Sequence, residues 1–154
     1  MIVLIWAYFE NLFSSAAQSV ASHSRRQDRF QTFETYRSKN RSISLVLCWK
    51  RYFTEVIEFK IELDEGEWQR LSDTLVLRNF IAHSSRRPGF PPEERKAEAI
   101  LRLPGAKINV DGVSISKRLV VESLHFAELV LNRLGGKHWE ESESFDLSEA
   151  KKSN

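Results

Sequence analysis

Apolar side chains return every three or four residues in four separate stretches of this chain. That spacing belongs to helices packed along one face, and it constrains the fold more than any other feature. In the first stretch Ile2, Ile5, Phe9, Leu12, Phe13, Ala16 and Val20 fall on one side of a helix over 2–22. The second, 42–62, carries Leu45, Cys48, Trp49, Tyr52, Phe53, Val56 and Ile57 at the same period. Asp64-Glu65-Gly66 breaks the pattern, and Trp68, Leu71, Leu75, Arg78 and Ala82 then form a stripe along a third helix over 66–82. The fourth, 116–134, opens at Ser116, a residue suited to an N-cap. It carries Leu119, Val120, Leu124, Phe126, Ala127, Val130, Leu131 and Leu134 up to Gly135-Gly136, read as its stop. A minor helix is expected within 27–38. Asp111-Gly112 between Lys107–Val110 and Val113–Ile115 reads as the turn of a small β-hairpin. The fold expected is all-α: an up-and-down bundle of four main helices, with a short minor helix and a hairpin before the last helix. Residues 1–136 form one domain in this reading, and the polar segment 137–154 is a flexible C-terminal tail.

The composition agrees with one globular core: 154 residues, 42% hydrophobic and 29% charged. A net charge of +2 permits nucleic-acid binding without requiring it, so a basic surface must come from local clustering. The single cysteine, Cys48, rules out an intramolecular disulfide and any multi-cysteine zinc site, and its apolar neighbours suit a buried thiol. The apolar opening, Met1 to Phe9, lacks a basic flank and meets Glu10 too early to span a bilayer. It reads as a core helix, and a cytoplasmic location without membrane association is expected. No Gly-rich phosphate loop, His-Glu-x-x-His helix or nucleophile elbow is present. His23, His125 and His138 are scattered without metal-ligand spacing, so no metal and no cofactor is expected.

Chemistry concentrates in Arg78-Asn79-Phe80-Ile81-Ala82-His83, where the third helix ends before Ser84-Ser85-Arg86-Arg87-Pro88-Gly89. Arginine offers phosphate a planar fork of donors, and histidine, with an unperturbed pKa of roughly 6.5, exchanges protons near neutrality. An arginine in line with apolar positions faces the bundle or another subunit, where it is costly to leave unpaired. The plainer alternative is an Arg78 paired with an acid and a His83 that complements the helix C-terminus. Two further segments are basic. From Ser24 to Arg41, Arg25, Arg26 and Arg29 are interleaved with Phe30, Phe33 and Tyr36; this is either a solvated face with inward aromatics or an RNA-facing surface. After His83, Arg86, Arg87, Arg95 and Lys96 lie on what reads as a stiff, irregular, proline-rich loop able to flank a phosphate path.

The Arg78, Asn79 and His83 pattern, followed by a glycine-containing loop, a hairpin and a final amphipathic helix, resembles the HEPN family (higher eukaryotes and prokaryotes nucleotide-binding domains). The likeness is to its toxin and abortive-infection ribonucleases, which act in antiviral defence. The resemblance implies metal-independent RNA cleavage by attack of the ribose 2′-hydroxyl on the adjacent phosphate. In that scheme His83 moves protons, Arg78 holds the charge developing on phosphate, and Asn79 orients the imidazole or the scissile group. Arg25, Arg26, Arg86, Arg87 and Lys96 would add affinity for RNA. It also implies a homodimer whose two protomers share one cleft, and a cognate antitoxin or regulatory protein as a further partner. The alternative is a non-catalytic module of the same family that dimerises or binds a nucleotide or partner protein. Regulation through a tyrosine two positions after the motif histidine is disfavoured, because Ser85 stands there.

Overall fold

The computed structural model describes residues 2–23, 31–84, 92–109 and 112–150; for 21, 23, 84 and 135–150 only the helical backbone is described. Among these, six helices and one hairpin follow in the order α1 (Ile2–His23), α2 (Phe33–Lys39), α3 (Leu45–Glu55), α4 (Glu65–Ser84), α5 (Glu94–Leu101), β1 (Ala106–Asn109), β2 (Gly112–Ile115) and α6 (Lys117–Ala150). The all-α architecture with a hairpin before the last helix is therefore the one the periodicity predicts.

Side chains close the starts of α2, α3, α4 and α6. Thr32 accepts from the Thr35 amide to open α2, and Ser44 accepts from the Leu47 amide to open α3. At α4 the Asp64 carboxylate accepts from the Glu67 amide while Glu67 accepts from the Asp64 amide, both at 2.8 Å. This reciprocal box makes Asp64-Glu65-Gly66 a helix start. Ser116 caps α6 as expected, accepting from the Leu119 amide at 3.3 Å.

The core lies where α1, α3, α4 and α6 meet. Phe13 of α1 stacks on Trp49 of α3 and Trp68 of α4, and Phe9 meets Phe126 of α6. Leu71, Leu77, Ile100 and Val130 have no solvent exposure. Helix α4 is central, packed against α1, α3 and α5. Its burial is consequently wider than a single stripe: Leu77, Asp73 and Thr74 are buried, whereas Leu75 and Ala82 are only partly so. Arg70 donates to the Glu122 carbonyl at 2.9 Å and Arg133 meets Glu67 at 3.3 Å, so α6 runs antiparallel to α4.

Five boundaries differ from those expected. Helix α3 ends at Glu55, not near 62. Beyond it Ile57, Ile61 and Leu63 are buried and Phe59 partly so, while Glu58, Lys60 and Glu62 are exposed, the two-residue alternation of extended chain. Glu58, at φ 56, turns the chain out of the helix as the Phe59 amide reaches the Phe53 carbonyl. The minor helix begins only at Phe33. The segment after His83 is not loop throughout: α5 buries Ala99 and Ile100, and Leu103 follows them into the core. In the hairpin Asn109 pairs with Gly112, so Gly112 belongs to β2 instead of the turn. Finally, α6 continues through Gly135-Gly136 to Ala150, since a helix-interior glycine costs only about 1 kcal/mol relative to alanine.

Candidate active site at the end of the fourth helix

Arg78 lies in the penultimate turns of α4 and His83 in its last turn. Arg78 is half-buried, and its Nη1 donates to the Asn79 side-chain oxygen at 3.0 Å. Its Nε is buried with no hydrogen-bond partner. No carboxylate pairs with it among the described residues. Arg70, Arg102, Arg118 and Arg133, by contrast, each hold a Glu or Asp. Among the described residues the acid-paired reading of Arg78 is therefore not the arrangement found.

His83 is exposed. At 3.6 residues per turn, five residues place Arg78 and His83 about 140° apart around the helix, whereas Asn79 and His83, four apart, share a face. Asn79 therefore links the two: its oxygen is engaged by Arg78, while its position lies over the turn that carries His83. One protomer thus offers a guanidinium and an imidazole in different directions from the same helix end.

Of the expected RNA-binding residues, Arg25, Arg26, Arg86 and Arg87 lie outside the described residues. Lys96 is on α5, exposed, and 3.1 Å from Glu93 one turn earlier, so part of its charge is already matched. It belongs to a helix, which corrects its placement on a loop. Arg95 is exposed on the same helix.

A polar centre that sequence spacing does not reveal braces the middle of this helix. Asp73, 3% exposed, accepts from Arg102 Nε at 2.8 Å, from Arg102 Nη2 at 2.7 Å and from Gln69 Nε2 at 2.9 Å. The hydrogen bond to Asp73 raises the Arg102 pKa above its ordinary value. This two-pronged contact ties the chain just after α5 to the middle of α4. A buried-polar residue within an apolar helix is the only signal Asp73 sends, and nothing in the spacing points to Arg102.

A second polar contact, part-buried, joins α2 to α3. The Tyr36 hydroxyl donates to Glu55, and the Tyr36 pKa is pushed up to about 12, first by burial and then by that hydrogen bond. Cys48 is fully buried, as its neighbours suggested. His125 is exposed on α6. Among the described residues no group of His, Cys, Asp and Glu is arranged to hold a metal ion, and no helix is long and apolar enough to cross a membrane.

Comparison of the chain with protein-family models, with characterised proteins and with solved structures finds no match.

Proposed function

We propose that the chain is a metal-independent endoribonuclease of the HEPN toxin type, with Arg78, Asn79 and His83 as its reactive group. The observation that carries this reading is the state of Arg78. A half-buried guanidinium held by Asn79, with an orphaned Nε and no carboxylate among the described residues, retains its charge for an external anion.

In the reaction, the imidazole of His83 takes the proton of a ribose 2′-hydroxyl as that oxygen attacks the neighbouring phosphorus. Arg78 stabilises the negative charge gathering on the non-bridging oxygens. The bond to the 5′-oxygen breaks, and a second imidazole returns a proton to the leaving oxygen, giving a 2′,3′-cyclic phosphate and a 5′-hydroxyl. One imidazole cannot stand on both sides of the bond, so the second comes from His83 of another copy in a homodimer with a composite site. Asn79 fixes the Arg78 fork. Arg25, Arg26, Arg86, Arg87 and Lys96 contribute phosphate affinity, and a cognate antitoxin or regulatory protein restrains the activity.

A second reading rests on the divergence of Arg78 and His83 around the helix. On that reading the fold is a non-catalytic binding module in which Arg78 anchors a partner. Incubating purified protein with mixed RNA and a chelator, followed by end-group analysis, separates the two. Cyclic phosphate ends lost in His83→Ala support the nuclease. RNA intact across substrates and pH supports the module.

A further inference from the structure

His83 shares its side of α4 with other groups. At about 100° of turn per residue, Val76, Asn79 and Phe80 fall roughly 20°, 40° and 60° from it around the helix, whereas Arg78 is about 140° away. Circling the helix end, the order is Arg78, Asn79, His83, Phe80. His83 is exposed and the other three are only partly buried, so each keeps some surface open to solvent. This stretch of α4 therefore sets an amide, an imidazole and a phenylalanine ring beside one another, next to the guanidinium that holds the amide.

That ring is unlike the other phenylalanines of the fold. Phe9, Phe13, Phe33, Phe53, Phe59 and Phe126 each pack against another aromatic side chain. Phe80 rests against the edge of the core, and among the described residues no other ring meets it. An aliphatic side chain would fill the edge of a core equally well. What a ring adds is a flat π-face, and the described residues make no aromatic use of this one. Beside a group that acts on phosphate, such a face suits a nucleobase. Every base has a π-face, and an aromatic ring set next to positive charge is how proteins hold single strands. Bases inside a duplex have both faces covered by their neighbours, so stacking on a side chain selects unpaired nucleotides. Residues three apart on a helix have Cβ atoms about 5–6 Å apart, comparable with the reach from a phosphate across one ribose to its base.

We infer that Phe80 is the base-stacking residue of the site and that the substrate is unpaired RNA: a base beside the scissile phosphate lies flat on the Phe80 ring while His83 works on the sugar and phosphate of the same nucleotide. The inference rests on the ribonuclease reading and adds to it a substrate class and a positioning residue. Phe80 takes no part in moving protons; it fixes where the nucleotide sits relative to the imidazole.

The test is cleavage by the full chain, with chelator present, of one RNA strand whose cut site has been mapped. The strand is supplied free, annealed to its complement, and with a single abasic nucleotide on either side of the cut bond. Wild type should cut the free strand at least about tenfold faster than the duplex, and loss of one flanking base should lower kcat/KM by roughly tenfold. Phe80→Leu, which still fills the edge of the core, should lose a similar factor on the intact strand, chiefly through KM. It should lose nothing further when that base is also missing, because ring and base act as a pair. Phe80→Tyr keeps the π-face and should cut as wild type does. Phe80→Leu with wild-type kcat/KM, abasic losses that multiply with that of Phe80→Leu, or a duplex cut as fast as the free strand would each overturn the inference and leave the ribonuclease reading standing. RNA left uncut by wild type would end both. The abasic strands probe the unaltered protein, so an abasic site without effect on either side removes the base contact even if Phe80→Leu does not fold.

Discussion

Asp73 and Arg78 stand five residues apart on α4, both charged and both withdrawn from bulk water, yet their surroundings are opposite. Asp73 receives three hydrogen bonds, two of them from Arg102. Arg78 makes one described side-chain hydrogen bond, to Asn79, and leaves a buried N–H without an acceptor. The first centre is complete within the chain and ties α4 to the residue that follows α5. The second is incomplete among the described residues, and a buried N–H without an acceptor is retained at a cost to stability. The contrast separates an ion pair that joins two segments of the fold from a cation that holds no carboxylate among the described residues.

The largest effect should come from breaking the incomplete centre. His83→Ala and Arg78→Ala are each expected to lower RNA cleavage by about 10²–10⁴-fold, with His83→Ala melting close to wild type because the imidazole is exposed. Cleavage that persists in nuclease-free His83→Ala would remove it from the reaction. Arg78→Ala strands no carboxylate, so its melting temperature should fall little.

Breaking the complete centre should show the reverse. Arg102→Ala leaves the Asp73 carboxylate buried with only Gln69 beside it. Because Arg102 is itself half-exposed, the expected cost of about 2–3 kcal/mol lies below that of a wholly buried pair. This is a drop in melting temperature of roughly 5–10 °C, with cleavage per folded molecule unchanged. An Arg102→Ala protein as stable as wild type would show that the pair does not hold the two segments together.

The smallest effect sharpens the comparison at the contact between α2 and α3. The Tyr36 pKa is raised from 10.0 to about 12, so the folded state favours the protonated phenol. Its contribution is complete below about pH 10 and fades as pH rises toward about 12. Denaturant unfolding followed across that window should lose stability more steeply in wild type than in Tyr36→Phe. Equal slopes would discount the Tyr36–Glu55 contact.

What the sequence made legible follows from how far apart the cooperating residues are. Helices α1 and α4 declare themselves through spacing within a few turns, and the Asp64–Glu67 box and Ser116 mark starts by contacts three residues long. The helical period overextends α3 because Val56 and Ile57 fit it, although Ile57 to Leu63 also alternates apolar with charged, the pattern the chain adopts. Helix α5 was hidden behind the prolines before it. At the site, Arg78, Asn79 and His83 stand out because they are close in sequence. The Asp73–Arg102 pair was invisible, since 29 residues and the placement of a whole helix intervene. The angular divergence of Arg78 and His83 was already implied by five-residue spacing, and its meaning emerged only once His83 was seen to be exposed and Arg78 half-buried.

Gly105, at φ +87, sits at the neck of the hairpin: its carbonyl accepts from the Ser116 amide, and a Cβ there would come within 2.1 Å of the Ser116 hydroxyl that caps α6. The start of the last helix is thus anchored at the open end of the hairpin, where the Gly105 carbonyl meets the Ser116 amide. A side chain at Gly105 would dislodge the cap and move the helix itself.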